Sequence, residues 1–156
     1  MPSTILHLGP GLALGLFFKN KVNLVAILLS SILIDIELVY SLFTVGEMIH
    51  GPLHTLIGAT ALGLIIAIPV YIFRNQLERI NELIGIEKDY SLKAIVTGSL
   101  LGAWIHVILD GLFYERGLPI WTNMSSIIPW TINPHLLNGI CILGFIAAGW
   151  IYLKEN

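Results

Sequence analysis

Five apolar stretches, roughly 4–18, 22–44, 52–73, 92–114 and 134–153, occupy most of this chain. Each approaches the length of about 20 residues that a helix needs to cross a hydrocarbon core, with a working range of about 17–25. Of the 156 residues, 56% are hydrophobic and 12% charged, and mean hydropathy is +0.84. A soluble domain carries about 25% charged residues. The expectation is one all-α domain over residues 1–156, a polytopic bundle of about five transmembrane helices with little mass outside the bilayer. A net charge of −2 gives no sign of nucleic-acid binding. The single cysteine, Cys141, lies in an apolar run and leaves no intrachain disulfide to form. The first run lacks a basic leader and carries His7 and Gly9-Pro10-Gly11, so it reads as a tilted or kinked span rather than a cleaved signal.

Two connections stand out. Residues 74–91 are the one markedly hydrophilic stretch, and Leu77, Ile80, Leu83 and Ile84 recur there at helical spacing. That pattern predicts a short amphipathic helix on the membrane surface. Residues 115–133 are apolar but broken by Pro119 and Pro129, and they carry Trp121 and Trp130. Tryptophan favours the headgroup level, which predicts an interfacial or re-entrant loop. Orientation follows from lysine and arginine. Lys19, Lys21, Arg74, Arg79, Lys88, Lys93 and Lys154 fall on one side, with only Arg116 on the other. The expected topology puts the N-terminus outside and the C-terminus in the cytoplasm.

Ionisable groups inside such spans cost about 2.5–3.5 kcal/mol each on insertion scales, so they mark function by default. Here they are His7, Asp35, Glu37, His50, His54, His106 and Asp110. At a rise of about 1.5 Å per residue, Asp35 lies about 13 Å below the outer end of its helix, His106 about 12 Å and Asp110 about 6 Å. His7 stands near the outer start of the first span, and His50 and His54 bracket the outer start of the third. Four helices thus contribute to one outer layer, which predicts a single shared site. His106 and Asp110 are i and i+4, on one helical face. Asp35 and Glu37 are two apart and point to nearly opposite faces of a straight helix, so both reach one metal only if the helix breaks there. Asp35 is the first choice; Glu37 is a second ligand, a proton acceptor, or a residue facing another helix.

Plainer readings apply elsewhere. A lone membrane histidine is often hydrogen-bonded glue between helices, and His135 after Pro134 reads as interfacial. Glu47 and Glu115 read as solvated loop charges. Gly11 with Gly15, and Gly98 with Gly102, have the small-xxx-small spacing of close helix packing. For the set His7, Asp35, His50, His54, His106 and Asp110, the plain reading would require several unpaired buried charges. Imidazole and carboxylate ligands without thiolate suit zinc, and also manganese or iron. Six ligands exceed the four of tetrahedral zinc, which leaves room for two ions. A bound metal lowers the pKa of its water to about 7 and so provides a hydroxide nucleophile.

The order His7, Asp35-Ile36-Glu37, His50-Gly51-Pro52-Leu53-His54-Thr55 and His106 to Asp110, followed by Gly117-Leu118-Pro119 and Asn133-Pro134, resembles the YdjM-like family of membrane-bound metal-dependent hydrolases. The resemblance covers most of the chain. That family is distantly similar to the helical zinc phospholipase C and P1 nuclease group, which implies zinc and phosphoester hydrolysis. Three positions depart from its pattern: Glu37 where Asp is common, Gly51 where arginine is common, and Thr55 where serine is frequent.

The leading expectation is a membrane-embedded hydrolase acting at the outer face of a plasma or inner membrane on a lipid or lipid-linked phosphoester. One or two zinc ions would sit on the six ligands, with Glu37 or Asp110 as proton acceptor and Arg116 and Thr55 as substrate contacts. Homo-oligomerisation is left open. The rivals are a divalent metal transporter and a non-catalytic membrane protein with a structural metal. For transport, the inner half offers only Ser30, Ser31, Thr60, Thr97 and Ser99 as a polar path, beside the anchoring Lys93.

Overall fold

The computed structural model describes residues 4–18, 20–47, 50–83, 89–113, 118–120, 126–128 and 132–155. Seven helices carry the fold: α1 (Thr4–Phe17), α2 (Leu24–Leu33), α3 (Ile36–Val45), α4 (Leu56–Ile72), α5 (Arg74–Leu83), α6 (Leu92–Phe113) and α7 (Pro134–Glu155). A 3-10 turn, Pro52–His54, precedes α4. Leu118–Pro119 (β1) pairs antiparallel with Ser126–Ile128 (β2). That ribbon is the one departure from the all-α expectation among the described residues. It lies in the proline-broken 115–133 connection, and backbone bonds tie the same connection to α4 (Ile57 N–H to Ile120 O, 3.3 Å) and to α6 (Ile132 N–H to Leu112 O, 2.8 Å). Trp121 and Trp130 lie outside the described residues.

Three helices are long and apolar enough to cross a membrane: Leu24–Val45, taking α2 and α3 together, Leu92–Leu112 and Pro134–Lys154. The α4–α5 pair passes the same test but bends by 77°, giving up to four spans, and α1 is shorter. Large side chains such as Phe43, Leu64, Ile65, Leu143 and Trp150 are exposed on the helix surfaces. Water would leave that much contiguous apolar surface unfavourably solvated, whereas lipid accommodates it.

Centrally placed α6 packs against α2 on one side and α4 on the other, and α1 lies between α2 and α7. Glycines set how closely they approach. A Cβ at Gly102 would collide with the Ile27 carbonyl and the Ser30 hydroxyl, and one at Gly98 would meet the Asn23 carbonyl, so α6 presses backbone against α2. Gly9 and Gly144 play the same part where α1 crosses α7. Glycine at such crossings permits the close packing on which helix association in lipid depends, as the Gly98/Gly102 spacing predicted. Asn23 ties the other end of the pair: its side chain caps α2 by accepting from Ala26 N–H (3.0 Å) and donates to the Asp89 carbonyl (3.1 Å).

Two elements begin or break where the sequence reading did not place them. The third span starts at Leu56, not at Pro52, because Thr55 takes an extended backbone (φ −116, ψ 161) and caps the helix with its hydroxyl. The second span is interrupted at Ile34–Asp35, with Asp35 at the N-cap of α3. The predicted amphipathic helix is present as α5. Its residues divide more finely than the spacing suggested: Leu77 packs inward against the Ile66, Val70 and Tyr90 cluster, while Ile80 and Leu83 stay exposed. Asn81 is buried and donates to the Tyr90 hydroxyl (2.7 Å), and burial pushes that hydroxyl's pKa up to about 12. α1 runs through Pro10 without interruption.

A candidate metal centre

The break at Asp35 places both carboxylates of Asp35-Ile36-Glu37 toward the same group of histidines. On an unbroken helix, side chains two apart diverge; here both meet His54. Asp35 Oδ1 lies 3.3 Å from His54 Nε2, and Glu37 Oε2 lies 3.0 Å from His54 Nδ1. His54 itself ends the 3-10 turn, which the Thr55 hydroxyl locks by donating to the Pro52 carbonyl (2.7 Å) and accepting from Gly58 N–H (3.0 Å). Thr55 is therefore a buried helix cap, and its hydroxyl proton is already engaged, which argues against the substrate contact expected of it. On α6, His106 and Asp110 face the same point, with His106 Nε2 at 3.4 Å from Asp110 Oδ2.

Four atoms converge: Asp35 Oδ1, His54 Nε2, His106 Nε2 and Asp110 Oδ2. Each offers one ligand, and all lie within 4.8 Å of one another. The four nitrogen–oxygen separations are 3.3 Å (His54–Asp35), 3.6 Å (His54–Asp110), 3.2 Å (His106–Asp35) and 3.4 Å (His106–Asp110). A tetrahedral ion with ligands at about 2.0–2.1 Å has its ligand atoms about 3.3–3.4 Å apart. The four nitrogen–oxygen separations are those of neighbouring ligands around one metal ion.

Two further observations fit a cation. Both ring nitrogens of His106, and both of His7, are buried without a hydrogen-bond partner, although His106 Nε2 stands 3.2 Å from a carboxylate oxygen. His106 Nε2 thus faces two carboxylate oxygens, at 3.2 and 3.4 Å, on the side where a cation would sit. Charge gives the second argument. Asp35, Glu37 and Asp110 bring three carboxylates into an apolar bundle, and the groups facing them among the described residues are histidines, not lysine or arginine. Buried carboxylates require compensating positive charge.

His7 and His50 flank this group. His7 Nε2 is 3.7 Å from Asp110 Oδ1, and its ring stands edge-on to His106 with centroids 4.7 Å apart. His50 Nε2 is 3.6 Å from Asp110 Oδ2, with its ring edge-on to His54 at 4.6 Å. Asp110 thus turns one oxygen to His7 and the other to His50, His54 and His106. All six predicted ligands are brought together, four as a compact cage and two at its rim. The His50 side chain is 19% exposed against 3% for His54 and 1% for His106, so the group opens on the His50 side. Arg116 lies outside the described residues. His135 is exposed at the start of α7, apart from the site.

Sequence spacing did not reveal what Glu37 does. Its carboxylate accepts from Gly51 N–H (2.9 Å), Leu53 N–H (3.2 Å) and the His54 ring. The one available signal was the glycine at position 51. A Cβ there would stand 2.6 Å from Glu37 Oε1, so that space belongs to the carboxylate.

No protein-family model matches this chain, and no curated protein or solved structure is significantly similar to it.

Proposed function

We propose that this chain is a membrane-embedded metal-dependent hydrolase of a lipid or lipid-linked phosphoester, with Asp35, His54, His106 and Asp110 as the primary metal ligands. The observation that carries this reading is the cluster of two imidazole nitrogens and two carboxylate oxygens within 4.8 Å of one another, buried in an apolar bundle. Zinc suits that donor set best, with manganese or iron as alternatives. A bound divalent ion would lower the pKa of a water to about 7 and polarise a phosphoryl oxygen. The chain's residues supply the rest. His7 and the second oxygen of Asp110 offer ligands for a second ion. His50, at the open side, stands where it can hand a proton to a leaving group, and Asp110 joins the two halves of the group.

Position in the bundle supports a site at the outer face. His7 lies near the start of α1, His54 immediately before α4, and Asp110 near the end of α6. The basic residues Lys21, Arg74, Lys93 and Lys154 fall at the opposite helix ends. On the positive-inside rule, the basic end is cytoplasmic. Counting α1 and the bent α4 as spans gives five, with the N-terminus outside. The resemblance to the YdjM-like family points to the same chemistry.

One observation favours a second reading, a structural metal. Four protein ligands fill a tetrahedral ion, and catalytic zinc usually keeps one position open. Metal analysis of the purified protein, followed by hydrolysis assays on a chromogenic phosphodiester and a fluorescent phospholipid, separates these readings. The expected result is about one or more equivalents of zinc, chelator-sensitive hydrolysis, and loss of both in Asp35→Asn with the helical content retained. Metal without hydrolysis selects the structural role; zinc uptake into liposomes selects transport; absence of any divalent metal ends the reading.

A further inference from the structure

We infer that Glu37 is a positioning residue: it fixes the ring of His54, and so governs the affinity of the metal cage without touching the ion. The inference rests on the metal-site reading above. Glu37 is not one of the four converging ligand atoms. Its oxygen meets Nδ1 of His54, the far side of the ring from the Nε2 that joins the cage.

The hydrogen bonds determine which way protons point. The amides of Gly51 and Leu53 can only donate, and both aim at the Glu37 carboxylate. The carboxylate accepts from both amides, engaging both of its oxygens. The third contact, 3.0 Å to His54 Nδ1, is then donated by the ring. A neutral imidazole with its proton on Nδ1 has its lone pair on Nε2. That lone pair faces Asp35 Oδ1 at 3.3 Å and Asp110 Oδ2 at 3.6 Å. Without a metal the ring can carry a second proton and donate it to Asp35 Oδ1, and a cation among the three atoms would take the place of that proton. The carboxylate that seemed surplus therefore prepares the ligand opposite it. Such carboxylate–histidine–metal relays orient the ring and raise its basicity, and losing the outer member typically weakens metal binding 10–100-fold.

Local structure makes the relay specific to this chain. The break at Ile34–Asp35 turns Glu37 toward the turn before α4, and the absence of a side chain at Gly51 leaves room for its carboxylate. Glu37 thus joins the start of α3 to the 3-10 turn, through both the turn's backbone and its ligand His54.

The test is a double-mutant cycle on the full-length protein, reading zinc affinity by competition with a chromophoric chelator. Glu37→Gln is expected to weaken zinc 10–100-fold, and Glu37→Asp, which keeps the charge but withdraws it from Nδ1, is expected to act in the same direction. In a His54→Gln background, Glu37→Gln should change affinity by less than about twofold, since partners in one relay are not additive. Equal affinity of Glu37→Gln and the parent, or the same loss in both backgrounds, overturns the inference. Ring-nitrogen NMR of metal-free protein tests it independently of zinc. His54 should be protonated at Nδ1 in the parent and lose that preference in Glu37→Gln; an unchanged spectrum overturns the inference. A parent that binds no zinc removes the metal reading, while the NMR comparison still decides what Glu37 does to His54.

Discussion

Gly51 and Glu37 lie 14 residues apart in the chain, and they touch: the Glu37 carboxylate accepts from Gly51 N–H (2.9 Å). A shorter aspartate at 37 would not extend as far toward the turn, and any side chain at 51 would occupy the place of the Glu37 carboxylate, as a Cβ 2.6 Å from Oε1 shows. The two positions are coupled: the reach of the acid at 37 depends on the absence of a side chain at 51. Gly51→Ala should therefore displace the carboxylate from two backbone amides and the His54 ring. Hydrogen bonds to a charged group contribute about 1.5–3 kcal/mol each, but partial relaxation of a glutamate side chain recovers some of that. The expected outcome is a stability lower by about 1–2 kcal/mol, read as a lower unfolding midpoint, and zinc affinity reduced by about tenfold. Thermal unfolding in detergent and a zinc titration measure these separately; a variant indistinguishable from the parent in both would show that the carboxylate is not fixed by this contact.

At the scale of elements, the cage unites pieces that the chain keeps far apart: the α2–α3 break, the turn before α4, and the C-terminal half of α6. An ion there would clamp them, and binding only the folded state stabilises by about 2.7 kcal/mol when free ligand is a hundredfold above its dissociation constant. For a chain of this size, each kcal/mol moves the midpoint by about 2–4 °C. Zinc at that excess should raise the unfolding midpoint by about 5–10 °C over chelator-treated protein, and Asp35→Asn should abolish the difference. Much of this convergence was legible beforehand. Depth along the helices placed His7, Asp35, His54, His106 and Asp110 in one layer, because helical rise is fixed by backbone geometry. The interruption at Asp35 was not legible, since Ile-Leu-Ile-Asp-Ile-Glu-Leu carries no proline or glycine. There, tertiary hydrogen bonds from the 51–53 turn to Glu37 accompany a local break that no propensity announces. Thr55 shows a second role that the sequence did not announce: its two hydrogen bonds are those of a helix cap.

For the whole molecule, the decisive asymmetry is that the ionisable cluster occupies one end of the bundle and the basic residues the other. If the basic end is cytoplasmic, the site faces outward, and a transported ion would meet few polar groups among the described residues: Ser30 donates to the Ala26 and Ile27 carbonyls, Thr60 donates to Leu56 and accepts from Trp104, and the Ser31 and Ser99 hydroxyls are buried without a partner. Topology is directly measurable here because the one native thiol, Cys141, is buried. A membrane-impermeant maleimide should thus report only introduced cysteines. His135→Cys, exposed at the start of α7, should label in intact cells. Asn75→Cys, exposed on α5 beyond the 77° bend, should label only after the membrane is opened. The reverse pattern would put the cluster on the cytoplasmic side, and with it any substrate. Labelling of both positions in intact cells would mean that residues 75 and 135 share a side. Between those positions the chain holds α6 as a span, so an odd number of crossings must separate them. That outcome would therefore dismantle the five-span arrangement as well as the orientation.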